Sequence, residues 1–143
     1  MRAVVDTNVL VSGLLWHGVP HDLLTAARDG RLTLISSPAL LDELTLVLDR
    51  PKFARLLGPI GVDVAGLVSG IRQLADIYDP PPLAVSVCRD PDDDAVLALA
   101  IAADTDVIVS GDDDLLSLGY HFGIDIVTPR QALARLAPSL TEN

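Results

Sequence analysis

Residues 2–15 read RAVVDTNVLVSGLL: a short β-branched run, an acid, then apolar residues at helical spacing. A strand that turns at once into a helix is the opening half of a β–α–β unit, the building block of parallel sheets. In such sheets ligands bind in the crevice beyond the carboxyl ends of the strands. Asp6 stands at that end of the first strand. An acid there is costly unless a partner or a cation holds it.

Outward from this unit, short apolar runs keep alternating with longer helical patterns, which predicts an α/β fold. Strand 2–5 and helix 8–16 are followed by a break at "GVP" (18–20), where Pro20 suits the first turn of a helix running to about Arg28. A strand at 30–36 leads to Ser37-Pro38, a cap followed by a first-turn proline, and a helix to about Leu48. Pro51 restarts the chain into a short helix, "KFARLLG" (52–58). Spacings of three and four predict another helix at 62–77. The prolines of "YDPPPLAV" (78–85) preclude a central strand and make this a connector. A helix at 92–103 is apolar almost all round, hence deeply buried. Strand 106–111, short helix 114–119, strand 124–128 and a closing helix, "PRQALARLA" (129–137), complete the pattern. No repeat, low-complexity segment or interdomain linker interrupts it, and residues 1–143 read as a single domain.

Half the residues are apolar and only 3% aromatic, so the core must be built from Ala, Val, Leu and Ile. Twenty acidic residues against 10 basic ones give a net charge of −10. That balance argues against tight, sequence-independent binding to a nucleic acid backbone. It leaves room for a nucleic acid substrate where metal ions offer local positive charge. A lone Cys88 excludes a disulfide framework and a cysteine-rich zinc site. No leader pattern precedes Asp6, and no apolar run approaches the roughly 20 residues of a spanning helix. The expectation is a cytosolic protein without membrane contact.

Four acidic loci stand out. Asp6 follows "AVV" and Asp112 follows "VIVSG"; if both runs are parallel strands, both acids emerge at one sheet edge. In helix 38–48 Glu43 lies three after Leu40 and four before Val47, on the border of the apolar stripe. It either points inward to a partner or snorkels to water. Asp42, Thr45 and Asp49 fall on the opposite, solvent face. The run "RDPDDDAVLALA" (89–100) places four acids before the buried helix. Asp90 is the best cap, and capping with the helix dipole accounts for one or two of the four. Asp93, three before Val96 and seven before Ala100, lies on the packing face; Asp92 and Asp94 have weaker claims. In "SGDDDLL" (110–116) Asp112 or Asp113 suits a cap, and Asp114 can approach the same cleft.

Gathered carboxylates cannot all stay ionised in a dry cleft without cations. Oxygen-only ligation suits Mg²⁺ or Mn²⁺. Two such ions can hold an attacking hydroxide and clamp a phosphate for in-line displacement. His17, His21 and His121 form no rival site, and Cys88 reads as a small buried apolar residue.

The segments "VVDTNVLVSGLL", "LLDEL" (40–44), "DPDDDAVLALA" (90–100) and "DVIVSGDDDLL" (106–116) together resemble a PIN (PilT N-terminus) domain over nearly the whole chain. The nearest subgroup comprises toxin components of toxin–antitoxin pairs, related to the virulence-associated protein C toxins. The resemblance implies a three-layer α/β/α sandwich around a mainly parallel sheet and a metal-dependent ribonuclease. By position it makes Asp6, Glu43, Asp93 and Asp112 the catalytic, metal-holding acids and Asp114 an accessory metal ligand, with Asp94 the alternative to Asp93. Asn8 would order the turn or a metal-bound water, and Thr7 would cap the following helix. It further implies an RNA substrate, an antitoxin covering the cleft, and a homodimer, with the extra helices between Glu43 and Asp93, including residues 58–74, as the place for a dimer or clamp surface. Arg50, Lys52 and Arg55 are the best candidates for phosphate contacts, with Arg89 a further scattered cation.

Two other classes compete. An aspartyl phosphotransferase or phosphatase also puts an acid after its first strand, but Asn8 stands where a second Asp is needed. The only lysine, Lys52, falls far from the predicted cleft. A catalytically inactive interaction module on the same fold would not need every acidic position filled. A calcium loop at 90–101 fails because Ala95 and Ile101 occupy its glycine and glutamate positions.

Overall fold

The computed structural model describes residues 1–136. Its elements run β1 (Arg2–Val5), α1 (Thr7–Leu15), α2 (Val19–Arg28), β2 (Thr33–Ser36), α3 (Pro38–Leu48), α4 (Pro51–Leu57), a 3-10 turn (Gly58–Ile60), α5 (Val64–Leu74) and β3 (Asp76–Ile77). They continue with α6 (Pro91–Ala102), β4 (Val107–Val109), α7 (Asp113–Leu116), β5 (Tyr120–His121), β6 (Ile124–Val127) and α8 (Pro129–Leu136).

The strands form a sheet of order β3-β2-β1-β4-β6-β5. Every pairing is parallel except that of β5 with β6. The strand order reverses beside β1, so the crevice between the carboxyl ends of β1 and β4 is the topological switch point at which open α/β sheets bind ligands. In register, Val5 lies opposite Val109.

Successive side chains on a strand face opposite ways, and this alternation divides the core in two. Ala3, Val5, Leu34, Val107, Val109 and Val127 pack with α1, α2, α3, α5 and α8 on one face. Val4, Ile35, Ile108 and Ile126 pack with Leu40 and with Val96, Leu97 and Leu99 of α6 on the other. A sheet covered on both faces needs strands that are apolar throughout, as these are. The result is the three-layer α/β/α arrangement with a mainly parallel sheet.

Several expected boundaries move. The helix expected over 62–77 ends at Leu74, and Asp76–Ile77 instead pairs beside β2 as a short edge strand. The strand expected from residue 30 begins at Thr33, after a left-handed turn at Gly30 (φ 80°). The two-residue strand β5 was absent from the sequence reading. Asp6, rather than Thr7, caps α1: its side chain accepts from the Thr7 N–H, and Thr7 is the first helical residue. Residue 137 of the expected closing helix lies outside the described residues. No single helix among the described residues is long and apolar enough to cross a membrane.

Candidate active site

β1 and β4, paired in parallel, deliver their carboxyl ends side by side, and the chain leaves each strand through a polar residue aimed into the crevice. Asp6 is 8% exposed and Ser110 fully buried. The Ser110 hydroxyl donates to Asp6 Oδ2 at 2.9 Å, while its oxygen accepts from the Asp112 N–H at 2.9 Å. One hydroxyl therefore links the acid after β1 to the backbone of the acid after β4. Asp6 Oδ1 accepts from the Thr7 N–H at 2.8 Å, and the Thr7 hydroxyl donates to Glu43 Oε2 at 2.8 Å. Of the two readings open to Glu43 at the border of the stripe, the structure shows the inward one, with Thr7 as its partner. A continuous chain of bonds runs Glu43–Thr7–Asp6–Ser110–Asp112.

The remaining acids enter from helix starts. Asp90 caps α6 by accepting from the Asp92 N–H, and Asp112 caps α7 by accepting from the Asp114 N–H. Two residues into α6, Asp93 is buried, and its Oδ2 has no hydrogen-bond partner among the described residues. Asp93, Asp112 and Asp114 each offer a carboxylate oxygen, and these oxygens lie within 4.8 Å of one another. Asp94 points elsewhere: its carboxylate accepts from the Ser86 hydroxyl at 2.6 Å and from the N–H groups of Val87 and Cys88 at 3.0 and 2.7 Å.

Burial and crowding set the electrostatics. Asp93 is pushed up to about 7, first by desolvation and then by the charges of Asp112, Asp90, Asp6 and Asp114. Asp6 is raised by burial against the opposing hydrogen bonds from Ser110 and Thr7, and Glu43 by burial against its bond from Thr7. Asp94 is lowered, chiefly by the Ser86 bond and then by the Cys88 N–H. The Cys88 thiol is pushed up to about 11 by burial and then by Asp94, which leaves it a poor nucleophile at neutral pH.

An orphaned carboxylate oxygen among converging acids is costly to keep dry. A divalent cation would supply the missing partner, and an all-oxygen donor set suits Mg²⁺ or Mn²⁺. The residues present therefore fit such an ion. Asn8 lies exposed on the first turn of α1 and makes no side-chain hydrogen bond among the described residues; of the two tasks expected of it, ordering the turn or a metal-bound water, the first falls to Asp6. His17 and His21 stack edge to face with ring centroids 5.0 Å apart. The couplers Ser110 and Thr7 escaped the sequence reading as partners of the acids. The signal was a hydroxyl directly after one strand and one residue beyond the acid of the other.

Of the gathered acids Asp112 lines a groove of about 350 Å³, together with Asn8, Val9, Ser12, Pro20, Gly111 and Pro129. Asn8 and Ser12 also line a second groove of about 310 Å³, which reaches Trp16, Lys52 and Leu56.

A family model described as PIN domain matches residues 2–114. An uncharacterized protein of Methanocaldococcus jannaschii is 29% identical over 119 residues, 82% of this chain and 75% of that protein. In three dimensions the chain is similar to a crystal structure of VapBC2 from Rickettsia felis bound to a DNA fragment from their promoter. That match has a TM-score of 0.59 and 14% identity, and covers 90% of this chain and 98% of the other. At that identity the likeness is one of fold.

Proposed function

The chain belongs to the PIN domain family, and from that premise we propose that it is a Mg²⁺- or Mn²⁺-dependent endoribonuclease, the toxin of a toxin–antitoxin pair, with residues 1–143 forming one nuclease domain. PIN domains are in general metal-dependent nucleases. The observation that carries the reading here is the buried, unpartnered Asp93 Oδ2 set among Asp112 and Asp114 at the same sheet edge as Asp6.

In this proposal Asp6, Glu43, Asp93 and Asp112 hold the ions, with Asp114 as a further ligand from the first turn of α7. When bound, divalent ions supply an activated water and the positive charge that stabilises in-line displacement at a phosphodiester. The protein's own part is to fix the acids. Ser110 and Thr7 orient Asp6 from both of its oxygens, and Thr7 keeps Glu43 turned inward. Such outer bonds set ligand direction and charge. The grooves that share Asn8 and Ser12 lead from the cleft towards Lys52, which supports a path for a single RNA strand.

The sequence resemblance to virulence-associated protein C toxins and the fold likeness to VapBC2 support an antitoxin partner. Exposed apolar side chains at Trp16, Leu46, Leu56 and Ile60 support protein association on the α1–α4 side, with the antitoxin or a second copy of the chain. Acting on cellular RNA, such a toxin would work in the cytoplasm. The test is cleavage of RNA by the purified chain with Mn²⁺. We expect cutting that EDTA and Asp6→Ala each abolish; cutting that survives both would refute the metal-site assignment.

A further inference from the structure

Arg89 precedes the acidic start of α6, and its side chain is 88% exposed. Its Nη2 donates to Asp114 Oδ1 at 3.1 Å. Of the ion pairs among the described residues, this one alone includes an acid of the cleft; the others join Arg2 to Asp76, Arg31 to Asp29 and Arg135 to Asp125. An ion pair this exposed adds little to stability, so the fold does not explain the arrangement.

The backbone on both sides of Arg89 is pinned. The Asp94 carboxylate clasps residues 86–88 by accepting from the Ser86 hydroxyl and from two successive backbone N–H groups. On the other side Asp90 is committed as the cap of α6. A long cation is therefore mounted on a short, fixed segment at the mouth of an acidic cleft. One edge of its guanidinium is tethered by Asp114, and its remaining donors face solvent.

An RNA phosphate approaching this mouth meets the acids gathered around Asp93, among them Asp90, Asp112 and Asp114. In a chain of net charge −10 it needs a local cation to enter. A guanidinium is suited to this, because its planar fork of donors matches phosphate oxygens, and pinning its base lowers the entropy lost on contact. We propose that Arg89 is a substrate-binding residue that grips an RNA phosphate at the mouth of the cleft, and that Asp94 positions it. This deepens, and rests on, the ribonuclease reading above. It also gives Asp94 a task separate from that of its neighbour Asp93.

The experiment measures anisotropy of a labelled single-stranded RNA with Ca²⁺ replacing Mg²⁺, so that binding is read without turnover, across a salt series. Arg89→Ala should weaken binding about five- to tenfold at about 0.1 M salt and lower the slope of log affinity against log salt by about 0.7, the share of one phosphate contact on a single strand. Arg89→Lys should keep the slope and regain part of the affinity, having the charge but not the fork. Asp94→Ala should also weaken binding, and the double variant should bind no worse than Arg89→Ala alone. Melting temperature should be unchanged in Arg89→Ala, since the side chain is exposed. Wild-type affinity and slope in Arg89→Ala would overturn the proposal, as would tighter binding, which would make Arg89 a plug in the cleft. Additive losses in the double variant would remove Asp94 from it. A wild-type chain that neither binds RNA with Ca²⁺ nor cuts it with Mn²⁺ would refute the ribonuclease reading, and the Arg89 proposal with it.

Discussion

Asp93 shows how one side chain can be a defect of the bare fold and an asset of the working one. Its Oδ2 is buried and without a partner among the described residues, and burial together with the charges of four other acids raises its pKa. Asp93→Asn replaces a carboxylate with a neutral group of the same shape. It should stabilise the metal-free chain at pH above about 7 by removing a buried negative charge from among Asp112, Asp90, Asp6 and Asp114. Thermal unfolding in EDTA checks this, and a lower melting temperature than wild type would count against it. Ser110 is the opposite case, a small residue that two acids depend on. Ser110→Ala removes the donor to Asp6 Oδ2 and the acceptor for the Asp112 N–H. Loss of such an outer bond typically costs about 10–100-fold in metal affinity. Calorimetric titration with Mn²⁺ should show a weakening in that range, whereas unchanged affinity would reduce Ser110 to a packing residue. The inward placement of Asp93 and Glu43 was legible because helical spacing separates them from Asp94 and Asp42. The couplers were not, because Ser110 meets Asp6 across 104 positions of chain and a serine after a strand has many ordinary uses.

At the scale of elements, the close crossing of α1 and α2 is made by Gly13. A Cβ there would lie 2.8 Å from Pro20 O and 2.9 Å from Leu24 Cδ1, and Gly13 itself is buried. In an exposed helix Gly→Ala gains about 1 kcal/mol. Here Gly13→Ala should instead destabilise by about 1–3 kcal/mol through overpacking. Denaturant unfolding gives the sign, and a more stable variant would mean that the helices separate at no cost. This crossing also carries Trp16 to Phe53, whose ring centroids are 6.3 Å apart. Element order and type followed from pattern because the strands are apolar on both faces and the helices are punctuated by Ser37-Pro38, Pro51 and Asp90-Pro91. The misses have local causes. Helical spacing of apolar residues runs on past Leu74, which disguises Asp76–Ile77, a two-residue strand that only β2 makes visible. β5 lies between Gly119 and Gly123, both at positive φ, and reads as turn until β6 pairs with it. Asp6 takes the cap of α1, which frees the Thr7 hydroxyl for Glu43, a contact between distant segments that local propensity does not encode.

For the molecule as a whole, the crowded acids tie stability to pH. Asp93, Asp6 and Glu43 all have raised pKa values, so each binds its proton more tightly folded than unfolded. Their contribution is complete below the ordinary carboxylate range, and that of Asp93 is lost as pH rises through about 7. The metal-free chain should therefore lose melting temperature between about pH 4 and pH 7. A divalent ion held as proposed would bind the ionised carboxylates and compete with those protons. The rise in melting temperature that Mn²⁺ confers should grow over the same interval, and Asp93→Asn should flatten both trends. Scanning unfolding at several pH values with and without Mn²⁺ checks this, and a metal effect independent of pH would place the ion elsewhere. In the proposed reading Asp93, the buried acid beside Asp112 and Asp114, holds an ion needed for RNA cleavage. That reading is tested most directly by single-turnover cleavage of a single-stranded RNA against Mn²⁺ concentration, wild type beside Asp93→Asn. The account predicts saturable, Mn²⁺-dependent cleavage by the wild type and a rate at least about 100-fold lower in the variant at every concentration; equal rates in the two proteins would contradict it.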